Sequence, residues 1–253
     1  MSSFNRTPDH PQSFGYKVSW FAIKTSDPAS VIDALEIRQA TPANWATGLA
    51  AACPPIDSSI SDPWMFVSPP INGWVVAVSA WFPYPVATEA SRGIGEKFDT
   101  LFSRLKKRFD DVQFFGSHRV TDFAAWARAC EGKPIRVFSW ADGDVLANAG
   151  EQTTEEAKLG FVNLDGLSPV DAGERIFEVA EEQNLKVQEL IANGTSPREA
   201  WTLVREGRAS AFPDEASVIA LAALWSLDPT NLADQNHPPG LGLAVRLPSN
   251  LRQ

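Results

Sequence analysis

The chain contains 253 residues, of which 44% are hydrophobic, and it carries a formal net charge of −9 at pH 7. A chain of this length and composition buries one large core or two modest ones, which indicates a globular protein. No apolar run reaches the ~18 residues of a membrane helix, and the N-terminus lacks the apolar core of a secretory signal. With two scattered cysteines, Cys53 and Cys130, we expect a cytoplasmic protein without a disulfide or a membrane partner.

Local signals predict the first elements one by one. Residues 16–24 are rich in β-branched and aromatic side chains, which favour a strand. Residues 26–28 (SDP) and 41–42 (TP) each place a capping side chain before a proline, which predicts the starts of two short helices. Residues 64–67 and 73–81 have the pattern of two strands in a hairpin with a stiff, proline-containing loop.

The clearest helical period lies in residues 91–109. Its apolar side chains recur at spacings of three and four residues, as on a helix face that packs against a sheet. The side chains of this stripe are Phe98, Leu101, Phe102, Leu105 and Phe109. The sequence therefore predicts one amphipathic helix whose partner is a sheet.

Strand-like runs follow this helix. They cover residues 112–117, 119–130, 134–140 and 145–149, with turn signals at Gly132-Lys133 and Asp142-Gly143. Neighbouring strands joined by tight turns are antiparallel, and one helix stripe covers only one of their faces. The sequence predicts an α+β fold, namely an antiparallel sheet with helices packed on one face and a helical C-terminal segment.

The composition changes after the sheet. A capping box at residues 153–156 predicts a short helix, and from Ser168 onward prolines and glycines separate further helical patterns. We expect a flexible or draped tail at residues 1–13 and a sheet domain at 14–160. An acidic helical segment at 161–253, ending in a proline-rich tail, is expected to pack on that domain.

The excess negative charge is concentrated in the C-terminal third. Residues 151–234 hold 16 acidic and 6 basic side chains, a net charge of −10, whereas the rest of the chain holds 15 acidic and 16 basic. Phosphate recognition needs a basic footprint, so we expect no nucleic-acid partner. The charge suits a basic protein partner, and it equally suits solvated helix faces that keep a protein in solution.

Histidine, the most frequent general base, gives no convincing catalytic site. His10 and His237 lie in proline-rich tails, and His118 lies at the start of a predicted strand. Ser117, His118 and Asp122 cannot converge, because successive side chains of a strand point to opposite faces. We therefore expect a structural histidine at position 118 and no catalytic residue.

Metal and phosphate motifs are incomplete. Residues 142–144 (DGD) lack the later ligands and the closing glutamate of a calcium loop, and a β-turn accounts for them better. Residues 92–95 (RGIG) open a helix but lack the third glycine and the trailing Lys-Ser/Thr of phosphate loops. The sequence predicts neither a metal site nor a cofactor.

Aromatic and arginine side chains alternate on the predicted strands. The set comprises Arg119, Trp126, Arg128, Arg136, Phe138 and Trp140. Such a mixture is typical of an interface hot spot or of a ligand-binding face. The alternative, which we favour for most of these side chains, is a sheet whose inner face packs on the helix stripe and whose outer face is solvated.

Residues 117–129 (SHRVTDFAAWARA), 135–140 (IRVFSW) and 148–156 (NAGEQTTEE), together with Gly132, form a pattern of aromatic, arginine and glycine positions. This pattern resembles a module of bacterial immunity proteins, which are encoded beside secreted antibacterial toxins that include type VI secretion effectors. The resemblance covers about residues 64–160, and the pattern contains no known catalytic motif.

The resemblance implies a non-enzymatic cytoplasmic protein that binds and neutralises a cognate bacterial toxin. Many such toxins are nucleases, whose basic substrate groove an acidic surface can occupy. The predicted partner-binding residues are Glu174, Glu178, Glu181 and Glu182, together with Trp126, Arg136 and Trp140. Inhibition away from the toxin's active site is equally allowed, and so is a homodimer.

Two other functions remain open on the sequence alone. One is an enzyme or small-ligand binder that uses the sheet face around Arg119, Trp126, Arg136 and Trp140, which a convergent pocket with a perturbed titratable group would favour. The other is an adaptor or structural protein of a secretion system, which self-assembly through a large apolar patch would favour.

Overall fold

The computed structural model describes residues 4–54, 63–88 and 91–253. Its strands are β1 (Val18–Lys24), β2 (Thr41–Ala43), β3 (Trp64–Val67), β4 (Trp74–Ser79), β5 (Asp111–His118), β6 (Phe123–Cys130), β7 (Lys133–Ala141), β8 (Asp144–Ala149) and β9 (Gly242–Arg246). Its α-helices are α1 (Pro28–Ala34), α2 (Trp45–Ala52), α3 (Arg92–Lys106), α4 (Thr154–Leu159), α5 (Pro169–Ala192), α6 (Pro197–Arg205) and α7 (Glu215–Trp225).

Across these ranges the nine strands form one sheet, in the order β2-β9-β3-β4-β1-β5-β6-β7-β8. All neighbouring strands are antiparallel. Strand β1 lies at the centre, where Phe21 is opposite Ala77 of β4 and Phe114 of β5. The predicted α+β class with an antiparallel sheet is confirmed.

Turns lie close to both predicted positions in the second half of the sheet, and the one predicted at Gly132-Lys133 is shifted by one residue because Lys133 begins β7. Glu131 and Gly132 between β6 and β7 both have positive φ, at 50° and 77°, as two-residue hairpin turns require. Asp142 and Gly143 repeat this conformation between β7 and β8, at 51° and 91°. The run at residues 119–130 is shorter than predicted, because its first four residues form the turn that precedes β6.

One face of the sheet packs against α1 and α3, as the helix stripe predicts. Phe98 of α3 lies 5.0 Å from Phe114 and 6.4 Å from Phe21, measured between ring centroids. The stripe residues Phe98, Leu101 and Leu105 are buried in the same cluster. The amphipathic period of residues 91–109 was therefore sufficient to place this helix.

The opposite face is also covered, so the expectation of a solvated outer face is wrong. Trp20, Phe115 and Trp126 point to this side and are buried against α2, α5 and α7. Trp225 of α7, for example, lies 5.6 Å from the ring of Phe115. The physical reason is that β1 and β5 carry large apolar side chains at consecutive positions, such as Phe114 and Phe115, and both sides must then be buried.

The C-terminal segment also completes the sheet, which the predicted domain limits of 14–160 and 161–253 did not allow for. Strand β9 lies between β2 and β3, and Ala244 pairs with both Thr41 and Phe66. Thr41-Pro42 is accordingly part of an edge strand and does not cap a helix. Helix α2 begins three residues later, where the side chain of Asn44 accepts a hydrogen bond from the backbone N–H of Thr47.

The N-terminal tail is bound to the body from Phe4 onward, while residues 1–3 lie outside the described ranges. The carboxylate of Asp9 accepts hydrogen bonds from the backbone N–H groups of Trp45 and Ala46 at 2.6 and 3.0 Å. The backbone of Asp9 pairs with Gly240. The tail is thus draped along the first turn of α2. No helix in the described part of the chain is both long and apolar enough to cross a membrane.

Candidate functional site

Helix α5 is amphipathic and presents a long acidic surface. Ser168 caps its first turn by accepting a hydrogen bond from the backbone N–H of Asp171, and Pro169 occupies the first helical position. Its buried residues are Ala172, Gly173, Ile176 and Val187, of which Ala172 and Ile176 belong to the core cluster on this face of the sheet. The remaining face is directed to solvent.

The predicted partner-binding glutamates all lie on this solvent face. Glu174, Glu178, Glu181 and Glu182 are exposed. Arg175 neutralises part of their charge, since its Nη1 lies 2.9 Å from Glu178 Oε2 and 3.8 Å from Glu182 Oε1. In the chain as described, Glu174 and Glu181 make no ion pair, so the surface keeps a negative charge.

A groove of about 530 Å³ runs between α5, α6 and the segment that precedes α7. We call it the α5–α6 groove. Its lining comprises Phe177, Ala180, Glu181, Gln183, Asn184, Trp201, Arg205, Ser210, Ala211 and Phe212. Glu181 is thus both a predicted partner contact and part of the groove.

Two aromatic rings in the groove are unusually accessible. Phe177 is 50% exposed and Phe212 is 36% exposed, and their rings meet edge to face at 5.2 Å. Beneath them lies Trp140, which is 3% exposed, with its ring 6.0 Å from Phe177 and 5.8 Å from Phe212. On the other wall the guanidinium of Arg205 stacks over Trp201 at 4.9 Å.

The other predicted contacts, Trp126, Arg136 and Trp140, are buried and do not reach a partner in this conformation. Residues 161–225 cover the sheet face that carries these three side chains. Arg136 and Trp126 instead share one acceptor, the carboxylate of Glu156. Arg136 Nε and Trp126 Nε1 donate to Glu156 Oε1 at 3.0 and 2.8 Å, while Arg119 stays exposed in the turn before β6.

This buried network links the sheet to the helices above it. The second oxygen of Glu156 accepts from the backbone N–H of Thr153, which completes the predicted capping box of α4. Arg136 Nη1 donates to Asn148 Oδ1 at 2.7 Å, and Asn148 Nδ2 donates to the carbonyl oxygen of Leu164 at 2.8 Å. The adjoining cavity has a volume of about 20 Å³, room for a single water at most. The network is therefore structural.

A second opening, of about 310 Å³, lies at the ends of β1, β5 and β7. We call it the polar cleft, and Lys17, Tyr84, His118, Thr121 and Asp142 line it. Burial raises the pKa of Tyr84, and the nearby carboxylate of Asp142 raises it further. Thr121 Oγ1 lies 3.5 Å from His118 Nδ1, so the histidine has a local partner.

The residue set Ser117, His118 and Asp122 does not assemble into a catalytic site. Ser117 is buried, and its hydroxyl lies 3.1 Å from the carbonyl oxygen of Gly15 and 3.2 Å from Glu215 Oε1. Ser117 and His118 both line the polar cleft. Among the described residues, the hydrogen bonds of the Ser117 hydroxyl go to Gly15 and Glu215, and the His118 ring lies beside Thr121.

Sequence reasoning missed the aromatic part of the α5–α6 groove. A usable signal existed, because Phe177 and Leu185 fall outside the buried stripe of α5 that Ile176 and Val187 define. Large apolar side chains out of phase with a helix stripe indicate a second apolar contact. Phe212 gave no such signal, since it lies in an irregular segment.

Neither a metal-binding cluster among the described residues nor a known relative points to a function. Among the residues that the structure places, no three His, Cys, Asp or Glu side chains cluster in a way that could hold a metal ion. No protein-family model, no curated protein and no solved structure matches the chain. The functional interpretation therefore rests on the geometry and on the sequence pattern.

Proposed function

We propose that this chain is a non-enzymatic immunity protein of the cytoplasm, which binds and neutralises a cognate secreted antibacterial toxin. The α5–α6 groove carries the proposal. Exposed aromatic rings beside unpaired carboxylates, as at Phe177, Phe212 and Glu181, are typical of protein–protein contact sites. The resemblance of residues 64–160 to immunity proteins supplies the biological setting.

The charge of the surface favours a basic toxin. Residues 151–234 carry a net charge of −10, and such a surface accelerates association with a positively charged partner. A nuclease has a basic substrate groove, so it is the toxin class that this surface fits best. Occupation of that groove by α5 would exclude the nucleic-acid substrate.

The first experiment is a pull-down of the purified protein with the product of the adjacent reading frame, followed by co-expression of the two in a host. We expect a stoichiometric complex and rescue of growth. A second arm co-expresses an unrelated toxin, which the protein should not neutralise. Absence of both complex and rescue with the adjacent product would overturn the proposal.

The contact surface is tested by charge reversal. Glu178→Lys, Glu181→Lys and Glu182→Lys together should slow association with the toxin and flatten its salt dependence, because rim charges act mainly on the association rate. Stopped-flow mixing at several salt concentrations measures both quantities. Unchanged kinetics in a folded variant would refute this contact surface while leaving neutralisation intact.

A matched control changes the same amount of charge on the opposite side of the molecule. Asp33, Glu96 and Asp110 are exposed and lie on or next to α1 and α3. Their replacement by lysine should leave the association rate close to that of the wild type. Equal slowing by both triple variants would mean that only the net charge of the protein matters.

A second candidate function is small-ligand binding in the polar cleft. Its volume of about 310 Å³ falls within the usual range of ligand sites, roughly 300–1,000 Å³. Tyr84, whose pKa is raised by burial and by Asp142, is the perturbed titratable group that such a function requires. A ligand that raises the melting temperature of the wild type but not of Tyr84→Phe or His118→Ala would favour this alternative.

A further inference from the structure

We infer that the α5–α6 groove receives a basic amphipathic helix of the partner, whose apolar side lies on Phe177 and Phe212. This inference rests on the proposed function, since it names the part of the toxin that the immunity surface holds. It specifies the kind of partner segment that binds beside the acidic face of α5, which was predicted as a contact surface for a basic partner.

The first observation is the position of the acidic side chains relative to Phe177. A helix advances about 100° per residue, so Glu181, Glu174 and Glu178 lie roughly 40°, 60° and 100° around the axis from Phe177. The aromatic and acidic side chains of α5 therefore form adjoining strips. A partner that covers Phe177 must also meet the glutamates.

The second observation is the apolar content of the groove. The rings of Phe177 and Phe212 rest on buried Trp140, so they form a supported platform instead of two loose side chains. The groove of about 530 Å³ lies between two helices. Its shape suits the recognition mode in which a helix lays its apolar face in a groove between helices.

The third observation is the negative charge of the α5 wall, which disfavours other occupants, although Arg205 on the opposite wall carries a positive charge. A negative surface repels nucleic acid and anionic lipid. A second copy of this chain would bring Glu174 and Glu181, which make no ion pair among the described residues, against their own counterparts. Like charges across an interface are unfavourable. A partner helix that carries lysine or arginine beside an apolar strip complements both the aromatic and the acidic strip of α5.

The test uses the full chain and a synthetic probe, a 14-residue helix of leucine and lysine with all its leucines on one side. Two control peptides accompany it. One has the same composition in an order that scatters the leucines, and the other has glutamate in place of every lysine. Fluorescence anisotropy of labelled peptide at two salt concentrations measures each affinity.

We expect the amphipathic basic peptide to bind and both controls to bind at least about tenfold more weakly, because contact needs the apolar and the acidic strip together. Phe177→Ser should weaken binding by about tenfold, as truncation of an aromatic anchor does. Glu181→Lys should weaken binding and reduce its salt dependence. Val120→Ser is the control, because Val120 is also an exposed apolar side chain, at 70% against 50% for Phe177, but lies in the turn before β6.

Several results would overturn the inference. The first is failure of the amphipathic basic peptide to bind. The second is equal binding of the peptide with scattered leucines, because charge alone would then explain the affinity. An equal effect of Val120→Ser is a third. A neutralising complex with the toxin that is insensitive to Phe177→Ser and Glu181→Lys would reject this occupant while the proposed function stands. Absence of any complex between the wild-type chain and the toxin would reject the proposed function itself.

Discussion

The buried pair of Arg136 and Glu156 offers a quantitative test of the structure. Their side chains are only 3% and 2% exposed, with the two charged groups 3.0 Å apart. Glu156→Ala leaves the guanidinium buried without its counter-charge, although Asn148 Oδ1 still accepts from it at 2.7 Å. Breaking a buried pair from one side costs about 3–5 kcal/mol. That is a large fraction of the roughly 5–15 kcal/mol by which domains are stable.

Replacing both partners should be much milder than replacing one. Arg136→Met with Glu156→Leu removes both charges and keeps apolar volume, so no buried ion is left unpaired. The free energy of unfolding lost in this double variant should be smaller, by more than about 2 kcal/mol, than the summed losses of the single variants Arg136→Met and Glu156→Leu. Such an interaction energy is near the upper end for directly contacting residues. Urea unfolding followed by tryptophan fluorescence and by far-ultraviolet circular dichroism measures each free energy of unfolding.

A matched pair on the surface provides the control. Arg175 and Glu178 have a similar separation of 2.9 Å, but their side chains are 42% and 61% exposed. Removing either one should cost less than about 1 kcal/mol, as for most surface pairs. The reasoning fails if the buried pair shows additive single effects or if the two pairs behave alike, because burial would then not determine the strength of the interaction.

Three further experiments probe the backbone, the start of α2 and the Cys53 thiol. A Cβ at Gly150, where φ is +79°, would collide with the carbonyl oxygen of Ile135, so Gly150→Ala should lower the free energy of unfolding by about 2–3 kcal/mol. Asp9→Ala should lower it by about 1 kcal/mol by removing both acceptor oxygens at the start of α2. Asp9→Asn should lower it by less, because its amide keeps one acceptor oxygen; urea unfolding measures both. Burial raises the pKa of Cys53 to about 12. At pH 8 only about one molecule in 10⁴ then carries that thiolate, against roughly a quarter for a free cysteine. Iodoacetamide followed by mass spectrometry should therefore label native Cys53 far more slowly than a free cysteine, and labelling of native Cys53 at the rate of the unfolded protein would contradict its raised pKa.

The parts of the fold that local signals determine could be predicted. The turns at residues 131–132 and 142–143 need two consecutive residues with positive φ, and the sequence supplies glycine at the second position of each. The stripe of α3 needs only the helical period. Strand β9 could not be found in this way, because its five residues follow a proline-rich stretch and pair with strands distant in the sequence.

The candidate site was only partly predictable, for a similar reason. Glu174 and Glu181, predicted as partner contacts, lie on the exposed side of α5. Trp126 and Trp140 were expected on neighbouring strands, but a strand pattern alone does not say what covers their face of the sheet. Whether such residues contact a partner or a helix of the same chain depends on where residues 161–225 fold back, which is a tertiary property.

The buried network around Arg136 and Glu156 should contribute to protein stability, whereas the exposed α5–α6 groove should contribute to binding. Two variants should separate these two contributions. Asn148 Nδ2 donates to the carbonyl oxygens of Leu164 and Leu167 at 2.8 and 3.0 Å, in the segment that leads into α5. Asn148→Leu removes both of these hydrogen bonds and the acceptor that Asn148 Oδ1 gives to Arg136, although the carbonyl oxygen of Leu164 keeps the backbone N–H of Leu167. The loss costs about 1–3 kcal/mol.

We therefore expect Asn148→Leu to lower the midpoint of unfolding and to speed hydrogen exchange in the first turns of α5. Its affinity for the basic amphipathic peptide should change little once the protein is folded. Phe177→Ser should behave in the opposite way, with weaker binding and a nearly unchanged midpoint, because half of that side chain is already exposed. If both variants lost affinity and stability together, Phe177 would belong to the core of the protein and the groove would not be an independent binding surface.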